Sequence, residues 1–193
     1  MLDGTTTALE LEGGTVDVDR WYDARAGTSI INHGVSIGHD QVRMQVMHDP
    51  GKDTPMGPAK SRAGTEAELA AIVSAIDHGL RRGAVAAGML IECTPAATPW
   101  EIVEVFRVAA SHRAAVHVHM RALAEPYYFL ETEEIIAASA ATGAPAHMST
   151  TRKRSIETAR ARRAAHRPHP LQHQVPPARE QPRSAWSRRR AIA

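Results

Sequence analysis

Residues 65–91 read TEAELAAIVSAIDHGLRRGAVAAGMLI and hold a helix followed by a strand. Thr65 followed by Glu68 is a capping box. The threonine hydroxyl and the glutamate carboxylate each accept from an amide that the first helical turn leaves without a partner. Leu69, Ile72, Val73, Ile76 and Leu80 then recur at the spacing of one helical face. Gly83 ends the helix, because glycine takes the left-handed conformation that closes a final turn. Ala84 to Ile91 runs apolar without interruption, as a strand covered on both faces does.

The same order repeats outward from this unit. Towards the C-terminus, Thr98-Pro99-Trp100-Glu101 opens a second helix with proline at its favoured first position. Ile102, Val103, Phe106 and Ala110 form its apolar face. Residues 115–121, AVHVHMR, read as a strand, Glu131 to Ala141 as a helix closed near Gly143, and Ala144 to His147 as the start of one more strand. Towards the N-terminus, residues 48–64 are rich in Gly, Pro, Asp and Lys and read as a loop. Ser29 to Ile37 is a strand, Val16 to Arg25 a short helix, and Thr5 to Leu11 a strand whose turn lies at Gly13-Gly14. Strands alternating with helices predict an α/β fold with a parallel sheet of about five strands. An open doubly wound sheet and part of a TIM-type barrel both fit. GxGxxG and GxxxxGK[ST] are absent, which weighs against a nucleotide-binding doubly wound sheet.

After about Thr150 the pattern breaks. Residues 151–193 hold 12 of the 23 Lys+Arg and 2 of the 21 Asp+Glu, a charge of 12 − 2 = +10, against 11 − 19 = −8 for residues 1–150. Arg, Pro, His, Gln and Ser dominate this stretch, and five prolines between Pro168 and Pro182 forbid a long helix there. Low hydrophobicity with high charge predicts disorder, with a transient helix at most over Ser155 to His166. The chain therefore divides into residues 1–147, the α/β part, and 148–193, a basic Arg/Pro-rich tail. Such a tail would bind nucleic acid or another polyanion only nonspecifically and in a salt-sensitive way. With Trp186 as its sole aromatic, it has little for bases to stack on, so nucleic acid is not the expected partner. One cysteine, no apolar run near the ~20 residues of a membrane span, and no secretory pattern at the N-terminus point to a cytoplasmic protein.

Alternation assigns the chemistry. In AVHVHMR, Val116, Val118 and Met120 face one way, and His117, His119 and Arg121 the other. The first set suits packing against helices. The second puts imidazoles on the interior face, with His119 nearer the C-terminal end of the strand, where barrel active sites lie. Neutral imidazole is a common zinc ligand, although a hydrogen-bonded interior histidine fits the same spacing. In TTTALELE, Glu10 and Glu12 share a face. Two interior carboxylates need a metal or a cation, while on an edge strand water would serve them. For His33 and His39, flanking a strand, loop hydrogen bonds are expected. Cys93 reads as a buried inert thiol.

Three linked segments, GTTTALELEGG, WYDARAGTSIINHGVSIGH and GAVAAGMLIECTPAATPWEIVEVFRVAASHRAAVHVHMR, resemble the middle of the N-acyl-D-amino-acid deacylase (D-aminoacylase) branch of the metal-dependent amidohydrolases, over about residues 1–147. The resemblance implies a distorted TIM-type barrel holding one or two zinc ions, in which a metal-activated water attacks the amide of an N-acyl-D-amino acid. By position it places Glu12 at the metal ligand of the second strand and His119 at that of the fifth, with Glu10 a weaker candidate one pleat deeper and no ligand role for His117.

The departures from the family are specific. No counterpart of its first-strand HxH precedes GTTTALELE. The family reads something like GAPLHVVHINS where this chain reads GAPAHMSTTRKRS, so His147 matches the histidine that is not a ligand and Thr150 stands at the ligand position. The later strands and their catalytic aspartate have no recognisable match. A frameshift near codon 148 in a GC-rich gene would account for both the junction and the tail. The expectation is a partial zinc amidohydrolase with little or no activity of its own.

Overall fold

The computed structural model describes residues 4–121 and 128–148. The expectations for the tail beyond Met148, including its disorder, its transient helix and Thr150 at a ligand position, lie outside the described residues. Within them the order is β1 (Thr7–Thr15), α1 (Val18–Asp23), β2 (Asn32–Gly38), α2 (His39–Val46), α3 (Pro58–Ser61), α4 (Glu66–Arg81), β3 (Ala86–Leu90), α5 (Pro99–Ser111), β4 (Ala115–His119), α6 (Tyr128–Thr142) and β5 (Ala146–Met148). No helix among the described residues is long and apolar enough to cross a membrane.

The five strands form one parallel sheet in the order β1-β2-β3-β4-β5. That order separates the two architectures the sequence left open. A doubly wound sheet reverses its strand order at a switch point, whereas a barrel adds strands consecutively. The fold is α/β, a partial TIM-type barrel.

The two faces of the sheet have opposite chemistry. Val35 and Ile37 of β2, Ala87 and Met89 of β3, Ile91 just beyond it, and Val116 and Val118 of β4 are all buried in one cluster with Ile72, Ile76 and Leu80 of α4, Ile102, Val105 and Phe106 of α5, and Ile135 and Ala138 of α6. Burying a side chain of this size stabilises by about 1.5–3 kcal/mol, so this outer layer holds the sheet in place. The other face carries Ser36, Gly88, His117 and His119, small or polar residues that leave space inside the curve. The capping box of α4 is present, with Thr65 Oγ1 accepting from Glu68 N and the Glu68 carboxylate accepting from Thr65 N.

Three local expectations need correction. Gly13-Gly14 does not end β1. The strand runs on to Thr15 through a register shift between Glu10 and Thr15, with Gly14 at φ +67°. β1 advances five residues from Glu10 to Thr15 where β2 advances two from Val35 to Ile37, and extra residues bend a strand, here where glycine allows it. Helix α2 occupies residues just after the second expected strand, where polar His39, Asp40, Gln41, Arg43 and Gln45 hide the apolar period. Residues 48–64 are not all loop, since α3 lies among them. Asp49 organises that stretch by accepting from the backbone N–H of Gly51, Met56, Gly57 and Ala59 at 2.8–2.9 Å.

Candidate functional site

The C-terminal ends of the strands converge on His119, the last residue of β4. Its Nδ1 meets the Glu12 carboxylate of β1. Its Nε2 lies 2.7 Å from Glu92 Oε2, two residues past the end of β3, as an ion-pair contact rather than an aligned hydrogen bond. The three side chains are part-exposed, at 20% for His119, 34% for Glu12 and 49% for Glu92, so the cluster opens to solvent.

β1 and β4 are separated by two strands in the sheet order. On a flat sheet that is about 14 Å of strand spacing. Glu12 reaches His119 because the sheet curls and β1 crosses its concave face. A Cβ added at Gly88 of β3 would meet the Glu12 carbonyl oxygen at 2.5 Å and the Leu11 carbonyl oxygen at 2.7 Å. A Cβ at Gly38 would meet the Gly13 carbonyl oxygen at 2.1 Å. The bend after Glu10 and the missing side chains of Gly38 and Gly88 together let the β1 backbone lie on β2 and β3.

The remaining residues singled out from the sequence have other roles. Glu10 turns back on its own strand, where Oε1 accepts from Gly13 N at 3.3 Å and Gly14 N at 3.5 Å and supports the bend. His33 is no loop residue but lies in β2, with Nδ1 3.3 Å from the Ile31 carbonyl oxygen and its ring against Trp21 and Tyr22. His39 is no loop residue: it is fully buried at the start of α2, with Nε2 2.7 Å from Glu101 Oε1. Cys93 is half-buried; burial, then the nearby Asp40 and Glu92 carboxylates, push its thiol pKa up, so it stays protonated and weakly nucleophilic. Burial, then the neighbouring His147, push the pKa of His117 down.

Sequence reasoning passed over two features. Glu92 follows the strand end directly, and the rule that drew attention to Cys93 also applies to its neighbour. The second is a buried cluster behind the mouth. Arg43 of α2 donates through NH1 to both Glu101 oxygens at 2.5 Å, through Nε to the Ala59 carbonyl at 2.7 Å and through NH2 to the Arg62 carbonyl at 2.5 Å. Burial pushes the Glu101 carboxyl up, but His39 and then Arg43 outweigh it, and the group is held below the ordinary carboxylate range. This cluster ties α2 and the 59–62 segment to α5. Asp40, beside it, is also buried, and its pKa is raised by that burial more than Gln41 lowers it.

A cavity of about 460 Å³ lies against the opposite, N-terminal halves of β1 and β2, between Leu9, Trp21, Arg25 and His33, and includes neither Glu12 nor His119. The Glu12–His119 pair is at the other end of the strands.

No protein-family model matches the chain. A D-aminoacylase from Alcaligenes xylosoxydans xylosoxydans is 29% identical over 116 residues, which cover 57% of this chain and 22% of that protein. The N-acyl-D-glutamate deacylase of Bordetella bronchiseptica, solved with zinc and a phosphonate mimic of the tetrahedral intermediate, is 28% identical with a TM-score of 0.56 over 77% of this chain and 31% of its own. A D-aminoacylase variant solved with copper chloride shares the fold at 21% identity, with a TM-score of 0.61 over 84% of this chain and 39% of its own. The chain thus spans about a fifth of the curated relative and under two-fifths of these solved structures. Over that stretch, the chain is similar in sequence and fold to D-aminoacylases.

Proposed function

We propose that this chain carries one stretch of a zinc-dependent amidohydrolase barrel that hydrolyses the amide bond of N-acyl-D-amino acids, with Glu12 and His119 as two of its metal ligands. The observation that carries this reading is the meeting of Glu12 and His119 across 107 residues of sequence at the C-terminal mouth of the sheet. A carboxylate oxygen and an imidazole nitrogen are both zinc donors. The relatives supply the substrate class, since proteins similar to this one are named for D-amino-acid deacylation.

The donor types fit zinc, but the donor number does not. A catalytic zinc takes three protein ligands and keeps one position open. Among the described residues no group of three or more His, Cys, Asp or Glu is arranged to hold a metal. When bound in such a barrel, zinc lowers the pKa of a water and polarises the amide carbonyl. The residues of this chain supply a half-site, and no hydrolytic step is assigned to them alone. We place the chain in the cytoplasm, where a lone free thiol at Cys93 is unremarkable.

The purified chain, supplied with zinc and N-acetyl-D-amino acids, should give no turnover above the uncatalysed rate. Release of free D-amino acid that disappears in His119→Ala would overturn the half-site reading and show a complete centre.

A further inference from the structure

Two more imidazoles stand on the interior face, one pleat deeper than His119. His117 of β4 and His147 of β5 are direct register partners. Their ring centroids are 5.0 Å apart and their planes are inclined by 44°. Parallel pairing puts partner side chains on the same face, so the two rings project side by side. No hydrogen bond or ion pair among the described residues occupies either ring. His147 is exposed and His117 half-buried, so the pair is open to solutes.

We propose that His117 and His147 form a bis-imidazole site for a borderline divalent cation, Cu²⁺ or Zn²⁺, distinct from the Glu12–His119 half-site. The geometry is the first support. A cation about 2.0–2.1 Å from one nitrogen of each ring, with a roughly tetrahedral angle between them, leaves the ring centres about 5 Å apart. That is the spacing the strand register already imposes. Chemistry is the second. Unoccupied imidazole nitrogens suit copper and zinc, and for a nitrogen site copper binds more strongly than zinc. The residues that flank His117 along β4, Val116 and Val118, are buried in the outer layer and do not compete. The open positions of the cation would be filled by water, so the site is accessible and of modest affinity.

Site-resolved footprinting tests this on the full chain. Histidines are modified with diethylpyrocarbonate with and without Cu²⁺, and each is read separately by peptide mass spectrometry, tail histidines included. The expected result is that Cu²⁺ slows modification of His117 and His147 together, severalfold, in the wild type and equally in Glu12→Gln. His147→Phe keeps a ring in place but removes the nitrogens, and it should abolish the protection of His117. His117→Phe should do the same to His147. The proposal is overturned if neither histidine is protected, if His117 stays protected in His147→Phe, or if the protection is lost in Glu12→Gln. The last outcome would assign the cation to the His119 centre and leave His117 and His147 as stacked rings only.

Discussion

His39 and His119 each sit at the C-terminal end of a strand and each faces a glutamate, yet the two pairs differ in their surroundings. The His39–Glu101 pair is 0% and 2% exposed and has Arg43 as a third member, which balances the glutamate charge and spends its remaining donors on backbone carbonyls. The His119 cluster is part-exposed and sets one imidazole between two carboxylates, Glu12 and Glu92. In the first, His39 and Arg43 both meet the buried glutamate inside the protein, so the cluster serves packing. In the second, two carboxylates approach one imidazole at a solvent-facing mouth. The residue types are nearly the same; burial distinguishes a structural bolt from a candidate site.

The largest effect should come from breaking the bolt. Arg43→Met leaves Glu101 buried without its arginine partner and should cost about 3–5 kcal/mol in chemical denaturation, as loss of one partner of a buried pair does. A loss below 1 kcal/mol would mean the cluster is no bolt. Next is the crossing of β1 over β3. Gly88→Ala puts a methyl group 2.5 Å from the Glu12 carbonyl oxygen and should cost about 1–3 kcal/mol. It should also separate Glu12 from His119, seen as loss of their coupling in a double-mutant cycle. Thr65→Ala removes a helix cap far from both clusters and should cost about 1 kcal/mol.

His119→Ala should cost less than about 1 kcal/mol, because part-exposed ion pairs contribute little. The contrast with Arg43→Met is the comparison in numerical form. The smallest effect concerns acid. Hydrogen bonds from Arg62, then from the Thr65 backbone, hold the Glu68 carboxyl at about 2, against an ordinary 4.5. A carboxyl lowered on folding adds stability above its unfolded pKa and loses it as pH falls through the folded one. The difference in thermal midpoint between wild type and Glu68→Gln should therefore shrink between pH 4.5 and about 2.

The parts of this structure that depend on periodicity were legible in the sequence. Val116, Val118 and Met120 alternate with His117 and His119, and the structure buries the first set in the outer layer. Thr65 and Glu68 marked a helix start by chemistry confined to four residues. Helix α2 was not legible because its buried members include His39 and Arg43, whose partner Glu101 is supplied by α5. Arg43 and Glu101 are 58 residues apart, and nothing local announces that they meet. The site was half legible. The face of the strand placed His119, and the resemblance to a family placed Glu12. The bend at Gly13-Gly14, which joins the two, is a tertiary event that a glycine pair signals only as a turn.

The central claim is that Glu12 and His119 form one half of a zinc site at the mouth of the sheet. Ring-nitrogen resonances of ¹⁵N-labelled histidines, followed during a zinc titration of the full chain, test it most directly. The account predicts that the His119 nitrogens shift with weak affinity and that this response is lost in Glu12→Gln. A His119 ring that does not respond to zinc, or that responds identically when Glu12 is replaced, would contradict it.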